Sequence, residues 1–275
     1  MDDPTKIALD PSGFNELKMC RSGPMLYNKN DIFVGGSLKT YGEFSVLEQE
    51  LFAQIVQPGS IVVEAGANIG AHTVGLARAA TKKGAVLAFE PQRVVFQALC
   101  ANLALNQCTN VYAHQMAVGA SPGRIVVPAM DPSMRANFGG VSLIGAATAG
   151  ERVTMVTIDS LELPACQLLK ADVEGMELEV VRGALATIRR CRPVMYLEND
   201  REDRSPSLLE ALLALDYAVY WHVLPLFNPK NFFGVAENIW GSDFVSVSVL
   251  CVPKESPTAM EGFRRVTSPS DRWQT

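Results

Sequence analysis

Residues 61–70 of the chain read IVVEAGANIG, a short apolar strand followed by a turn that contains two glycines. A helix is predicted directly after the strand, from Asn68 to Ala80, because the apolar residues there recur with helical spacing. Gly66 and Gly70 let the backbone pass close to a ligand without an intervening side chain. The amino end of the helix offers backbone amides to an anionic group. This order is typical of the first unit of a nucleotide-binding α/β domain.

On both sides of this turn, apolar strands alternate with amphipathic helices. A helix is predicted after Ser45, where Ser45 and Glu48 form a capping-box pattern. Further helices are predicted at 93–106, at about 177–190 and from Ser207, and further strands at 85–90, 111–118, 168–172, 194–198, 218–223 and 245–252. Continuous apolar strands separated by helices form a parallel sheet covered on both faces. The last two strands can pair antiparallel as a terminal hairpin.

Composition excludes several classes of protein. The 275 residues include 24 Lys and Arg and 29 Asp and Glu, so the net charge is −5 and no basic field exists to neutralise nucleic-acid phosphates. The six cysteines are scattered without metal-ligand spacing. No apolar run is long enough to span a membrane, and the first ten residues lack the features of a signal peptide. We therefore expect a cytoplasmic protein without nucleic-acid partners.

Two acidic residues mark the kind of nucleotide that the first unit would bind. Glu64 lies in the turn, and Glu90 lies 26 residues later at the tip of the next strand, where a carboxylate can accept both ribose hydroxyls. A dinucleotide site would have three glycines, whereas this turn has only Gly66 and Gly70. Glu64 would repel a pyrophosphate but suits the ammonium group of S-adenosylmethionine. That cofactor is therefore favoured, while a nicotinamide-dependent oxidoreductase and a non-catalytic S-adenosylmethionine-binding module remain alternatives.

Five segments of the chain together resemble one family. They are VVEAGANIGAHTV from residue 62, AFEPQ from 88, TIDSL from 157, LLKADVEGMELEVVRGA from 168 and YLEN from 196. The chain resembles the FkbM family of S-adenosylmethionine-dependent methyltransferases over roughly residues 42–252. The resemblance implies a class I, Rossmann-like doubly wound fold with a mostly parallel seven-stranded sheet. It also implies O-methylation of a hydroxyl on a saccharide or secondary metabolite. Glu64 departs from the family, which usually has Asp there.

These observations divide the chain into three parts. Residues 1–44 form an N-terminal arm, residues 45–253 the methyltransferase domain and residues 254–275 a C-terminal tail. Within the domain, residues 119–160 interrupt the alternation with two predicted strands and a loop rich in glycine and alanine. Long loops inside a compact domain are commonly functional. Residues 133–150 are predicted to form a lid that becomes ordered when donor and acceptor bind.

The candidate site residues lie at the carboxyl ends of the strands, where open α/β sheets bind ligands. Three are assigned to catalysis: Asp172, Glu174 and, as the tentative general base, His222. Eight are assigned to the cofactor: Glu64, Gly66, Asn68, Gly70, Thr73, Glu90, Met116 and Ala117. A hydroxyl is a poor nucleophile until its proton leaves, so a base or a metal is needed near the donor.

A metal is the alternative to a protein base. Asp172, Glu198 and Asn199 correspond in position to the oxygen ligands of magnesium-dependent catechol-type O-methyltransferases, and such ligands suit a hard cation. The FkbM resemblance implies no metal, however, so none is expected. The expected partner is a small-molecule or saccharide acceptor, and a homodimer is left open.

Overall fold

The computed structural model describes residues 9–145, 149–241, 244–256 and 262–274. Parts of the predicted arm, lid and tail (residues 1–8, 146–148, 257–261 and 275) lie outside these ranges. The helices are α1 (Val34–Tyr41), α2 (Val46–Ile55), α3 (Thr73–Ala80), α4 (Arg93–Leu105), α5 (Glu177–Arg182), α6 (Leu185–Cys191) and α7 (Ser205–Leu213). The strands are β1 (Asn15–Cys20), β2 (Gly23–Asn28), β3 (Ile61–Ala65), β4 (Ala85–Phe89), β5 (Val111–His114), β6 (Ala117–Val118), β7 (Gly123–Val127), β8 (Glu151–Val156), β9 (Leu168–Ala171), β10 (Val194–Glu198), β11 (Tyr217–Pro225), β12 (Val245–Pro253) and β13 (Arg264–Arg265).

The main sheet has the strand order β13-β11-β12-β10-β9-β3-β4-β5. The five strands from β10 to β5 run parallel, while β12 runs antiparallel to both β10 and β11. One face packs against α5, α6 and α7 through Val180, Ile188 and Leu209, and the other packs against α2 and α3 through Phe52 and Leu76. Helices on both faces explain why the central strands are mostly apolar.

The sequence prediction of seven strands is wrong by one, because the described part of the sheet has eight. The additional strand is Arg264–Arg265, in the segment predicted as a tail, and it pairs with Tyr220 and Trp221 of β11. A two-residue strand has no periodicity that a sequence could reveal. The segment predicted as one strand at 111–118 is also divided, since β5 joins the main sheet and β6 joins a separate three-stranded sheet with β8 and β7.

The N-terminal arm contains regular structure where the sequence suggested none. Strands β1 and β2 pair as a hairpin, and α1 follows. The hairpin is held to the domain by Asn102 of α4, which is fully buried, accepts from the amide of Leu26 and donates to the carbonyls of Leu26 and Ile69. The arm is therefore part of the wall that surrounds the first strand–turn–helix unit.

Helix α2 begins differently from the prediction. Ser45 has a φ of 43° and makes no side-chain capping bond, and the amide of Glu48 donates to the carbonyl of Ser45 instead. The Glu48 side chain is 5% exposed and accepts hydrogen bonds from Tyr196 and Ser246. The residue predicted to cap the helix thus joins α2 to the main sheet.

None of the helices among the described residues is both long and apolar enough to cross a membrane. All six cysteines are free thiols, and Cys20, Cys166 and Cys251 are buried. The cysteines therefore contribute to packing as small apolar side chains.

Candidate functional site

A cavity of about 40 Å³ lies at the carboxyl ends of β3, β4 and β9. We call it the central cavity. Six residues assigned to the site from the sequence line it: Gly66, Glu90, Met116, Ala117, Asp172 and Glu174. Three further lining residues, Gly139, Val141 and Leu143, lie in the predicted lid, and the rest were not predicted: Phe89, Pro91, Gln92, Val118, Val173 and Met176. The apolar majority of this second group left no distinct sequence signal, because such residues are typical of any core.

The turn after β3 approaches β9 more closely than the sequence suggested. Gly66 has a φ of 79°, and a Cβ added to it would lie 1.8 Å from the backbone oxygen of Asp172. The amides of Gly66 and Ala67 both donate to the carbonyl of Phe89, so neither is free to bind an anion. Glycine is needed at this position chiefly because two backbone segments meet there. A larger side chain would clash with the loop that follows β9 before it reached a ligand.

Glu90 is 4% exposed, and each of its carboxylate oxygens is already hydrogen-bonded. One oxygen accepts from the amide of Asn68 at 3.0 Å and the other from the amide of Gln92 at 2.8 Å. Burial raises the pKa of Glu90 to about 7, although the hydrogen bonds from these two amides lower it. The carboxylate is thus fixed in orientation at the cavity wall, with lone pairs left for a further donor.

Glu64 lies below the central cavity rather than in its lining. It is fully buried, accepts from the Thr73 hydroxyl at 2.7 Å and has its other oxygen 3.6 Å from the Lys170 ammonium. That second oxygen, Oε1, has no hydrogen-bond partner among the described residues. Two further residues were assigned to the cofactor. Asn68 donates its backbone amide to Glu90, and Gly70 lies in the turn with a φ of 88°.

Three carboxylates converge where β9 and β10 end. One oxygen each of Asp172, Glu174 and Glu198 lies within 4.8 Å of the others. Burial, and then the charge of Asp172, raises the pKa of Glu174 to about 7 and that of Glu198 well above its usual value. A group of three acids can hold a divalent cation, or it can keep a proton on one member. Either arrangement would let this edge of the sheet exchange a proton with a ligand or bind a ligand oxygen.

Two cations stabilise this group, and neither was singled out from the sequence. Arg201 donates to Glu174 at 2.6 Å. Lys170 is 2% exposed and its ammonium lies 3.7 Å from Asp172. Burial alone would lower the pKa of Lys170, but the carboxylates of Asp172 and Glu64 raise it above the usual value. Lys170 therefore stays protonated and cannot serve as a base near neutral pH.

His222 does not line the central cavity. Strand β11 continues to Pro225, so His222 lies within the strand rather than after it as predicted. Its Nδ1 is 2.9 Å from the hydroxyl of Tyr196, which itself donates to Glu48. Burial lowers the pKa of His222, and its ring packs against Phe263 at 5.2 Å. The histidine belongs to a hydrogen-bonded group beneath α2, apart from Asp172 and Glu174.

The predicted lid covers the central cavity. Its residues Gly139, Val141 and Leu143 are part of the lining. Gln92 donates to the carbonyl of Phe138 at 2.7 Å, and the Ser142 hydroxyl donates to the carbonyl of Glu174 at 2.9 Å. The cavity is far smaller than the roughly 300–1,000 Å³ of typical small-molecule sites. We therefore expect this segment to move when a ligand of nucleoside size enters.

A larger cavity of about 220 Å³ lies beside the loop that follows β10. We call it the side cavity. Arg201 lines it and also bonds to Glu174, which lines the central cavity. The other lining residues are mostly polar: Gly175, Glu177, Leu178, Asn199, Asp200, Asp203, Arg204, Ser207 and Leu208. The carboxylate of Glu174 is thus linked to the side cavity through its hydrogen bond from Arg201.

Comparison with known proteins gives one family and a set of solved structures. Residues 64–220 match the Methyltransferase FkbM domain family. No curated protein matches the chain significantly. A methyltransferase FkbM from Methylobacillus flagellatus KT is 18% identical with a TM-score of 0.47, over 74% of this chain and 50% of that chain, so this chain spans half the length of that protein. An rRNA methylase from Streptococcus thermophilus is 13% identical with a TM-score of 0.43, over 75% and 95% of the two chains. A Streptococcus mutans protein in complex with SAH is 12% identical with a TM-score of 0.46, over 75% and 96%.

Proposed function

The chain belongs to the FkbM methyltransferase family, and from that premise we propose that it transfers a methyl group from S-adenosylmethionine to a hydroxyl of a small molecule or saccharide. Membership in this family indicates S-adenosylmethionine as the cofactor, on a methyltransferase-like α/β fold. The observation that carries the proposal is the position of Glu174, which lines the central cavity and accepts a hydrogen bond from Arg201 of the side cavity. A proton acceptor between a donor space and an acceptor space is what O-methylation requires.

The residues that line the central cavity have the chemical character that suits S-adenosylmethionine, the methyl donor. Glu90 presents a fixed carboxylate for the ribose hydroxyls, and the apolar side chains of Phe89, Met116 and Met176 suit an adenine ring. The unpartnered Oε1 of Glu64 is a buried acceptor at the base of the same turn. When bound, the donor supplies an electrophilic methyl group. The chain supplies orientation and a proton acceptor, and it excludes water by closing the lid.

Glu174, rather than His222, is the proposed base. It lines the central cavity, whereas His222 is bonded to Tyr196 and packs on Phe263. Its pKa of about 7 places the change between proton donor and proton acceptor in the physiological range. Asp172 raises that pKa and, with its side chain 43% exposed, is available to orient the acceptor. The hydroxyl proton passes to Glu174 as the oxygen attacks the methyl carbon.

The side cavity is the proposed acceptor space. Its lining offers arginine donors, carboxylate acceptors and the amide of Asn199, a combination that suits a molecule with several hydroxyls. The net charge of −5 argues against a nucleic-acid acceptor. A homodimer remains a proposal, as does a location in the cytoplasm.

The experiment is a transfer assay with S-adenosylmethionine labelled in the methyl group. Monosaccharides, polyhydroxylated metabolites, RNA and peptides are offered as separate acceptor classes, and label is traced by mass spectrometry. The proposal expects label on an oxygen of a polyhydroxylated molecule. Label on a base of the RNA, or on a nitrogen of the peptides, would overturn it, as would donor binding without transfer to any hydroxyl.

A further inference from the structure

Two adjacent aromatic rings project from the connection between β11 and β12. Phe232 and Phe233 are 45% and 40% exposed, and their ring centroids lie 5.6 Å apart. Ile239 on the same connection is 43% exposed. Large apolar side chains grouped on a surface mark a place of contact with another molecule or with a membrane.

The backbone that carries the rings is held by buried hydrogen bonds. Glu43 is 6% exposed and accepts from the amide of Phe232 at 2.8 Å. Asn231, also 6% exposed, donates to the carbonyls of Asn228 and Val235. Because these polar groups fix the loop, the rings do not turn inward to escape water. The fold therefore holds both rings in their exposed positions.

Two cations lie over the two rings, and the backbone of two exposed lysines lies beside those cations. The Lys18 ammonium lies 5.6 Å from the centroid of Phe233, and the Arg21 guanidinium lies 6.0 Å from that of Phe232. Lys18 also donates to the carbonyl of Lys39, and Arg21 to the carbonyl of Lys230. These two bonds place Lys39 and Lys230, both exposed, beside the rings. A positive surface thus lies on a chain whose net charge is −5.

The carboxylate beside this surface does not cancel its charge. Glu43 pairs with Arg21 at 2.6 Å and is buried beneath it. In the part of the chain that the structure describes, Lys18, Lys39 and Lys230 form no ion pair with a carboxylate. Three ammonium groups therefore remain available to an anionic partner.

We propose that this basic aromatic surface, formed by Phe232, Phe233, Lys18, Lys39 and Lys230, docks on an anionic lipid membrane. Aromatic side chains partition into the headgroup boundary, while ammonium groups meet lipid phosphates. Aliphatic side chains favour lipid over nucleic acid, because they cannot stack on bases. Ile239 on the loop is such a side chain.

Docking by this surface would turn the candidate functional site toward the membrane. Strands β10 and β11 both run antiparallel to β12, so they run parallel to each other and their carboxyl ends lie at the same edge of the sheet. The connection with the two rings leaves from that edge, which also carries the two cavities. The membrane would therefore face the site edge. The docking inference does not depend on the proposed methyl transfer.

The test is sedimentation of the full chain with vesicles of phosphatidylcholine alone or mixed equally with phosphatidylglycerol. Binding is expected only to the mixed vesicles and is expected to weaken as salt is added. Lys39→Gln with Lys230→Gln should lower the partition coefficient by about fivefold for each charge removed. The matched control is Lys82→Gln with Lys83→Gln, which removes the same charge in the turn before β4 at the opposite edge of the sheet.

The apolar contribution is tested in the same assay with Phe232→Ser and Phe233→Ser. The control replaces Tyr112, which is 60% exposed on β5, with serine. The proposal fails if mixed vesicles do not bind, if both lysine pairs change binding equally or if the phenylalanine variant binds as well as its control. Binding of a single-stranded oligonucleotide through Lys39 and Lys230, without vesicle binding, would also overturn it. Donor affinity, measured in parallel, should be unchanged in every variant.

Discussion

At the scale of single residues, the site depends on a few buried groups whose partners are close and specific. Gly66 permits a contact between two backbone segments, Glu90 is held by two amides, and Glu174 is held by Arg201. These roles differ in what they affect. Gly66 is expected to act on folding, while the proposed function assigns Glu174 to chemistry and Glu90 to donor affinity.

Gly66→Ala should destabilise the fold rather than only weaken donor binding. The new Cβ would lie 1.8 Å from the oxygen of Asp172, at a φ of 79°. We expect the free energy of unfolding, measured in denaturant, to fall by about 2–4 kcal/mol.

The control for this variant is Gly59→Ala. Gly59 has a φ of 95° with no atom within 4 Å of an added Cβ, so it isolates the cost of the backbone conformation. That cost is about 1 kcal/mol. Equal losses in the two variants would show that the contact with Asp172 is not what requires glycine.

The proposed role of Glu174 as the base predicts that transfer depends on pH in a defined direction. Burial and the charge of Asp172 raise its pKa to about 7, so the carboxylate that accepts a proton is lost as pH falls below that value. The log of kcat/KM should therefore rise from about pH 6 to about pH 8 and then level off.

Glu174→Gln should abolish this rise and lower kcat by about 10²–10⁴-fold, while donor affinity stays within a small factor. The matched control is Glu179→Gln on α5, which removes a carboxylate that pairs with Arg182. A glutamine variant that keeps both kcat and the pH profile would move the base to another residue, His222 being the next to test.

At the scale of elements, the lid is the part expected to move. It is bonded to Gln92 and Glu174 and reduces the central cavity to about 40 Å³. We expect it to open to admit the donor and to close again once donor and acceptor are bound. Hydrogen exchange of residues 133–145 should slow when S-adenosylhomocysteine and an acceptor are added together. Unchanged protection, in the presence of measured binding, would remove the lid from the mechanism.

The sequence predicted most elements of the main sheet because their signals are local. Apolar strands such as β3 and β10, and the turn at Gly66, follow from periodicity and glycine alone. The predicted position of His222, at the carboxyl end of its strand, was wrong because two further residues, Leu224 and Pro225, extend that strand. The role of Glu48 was missed because its partners Tyr196 and Ser246 are far away in sequence. The same distance hid Arg201, which meets Glu174 only after folding.

At the scale of the whole molecule, the sheet brings distant segments to one edge. The arm, the lid and the connection after β11 all surround the carboxyl ends of the strands. The three acids collected there raise the question of a cation, since their oxygens lie within 4.8 Å of one another. Arg201 and Lys170 already supply two positive charges beside them. We therefore expect a proton, rather than a metal, to relieve their repulsion.

This expectation predicts that methyl transfer persists undiminished in excess chelator. The rate is measured with and without chelator, and after magnesium is restored. Loss of activity in chelator with recovery in magnesium would show that Asp172, Glu174 and Glu198 hold a divalent cation.

The central claim is that the central cavity binds the donor through Glu90, and calorimetric titration with S-adenosylhomocysteine measures it most directly. The wild-type chain should bind this compound and not NAD. Glu90→Ala should lose about 1–3 kcal/mol of binding free energy, because the ribose hydroxyls lose a buried charged acceptor. Glu16→Ala, which removes a partly buried carboxylate bonded to Tyr27 in the arm, should bind as the wild type does. Binding of NAD, or equal affinity of the Glu90→Ala and wild-type chains for S-adenosylhomocysteine, would contradict the account.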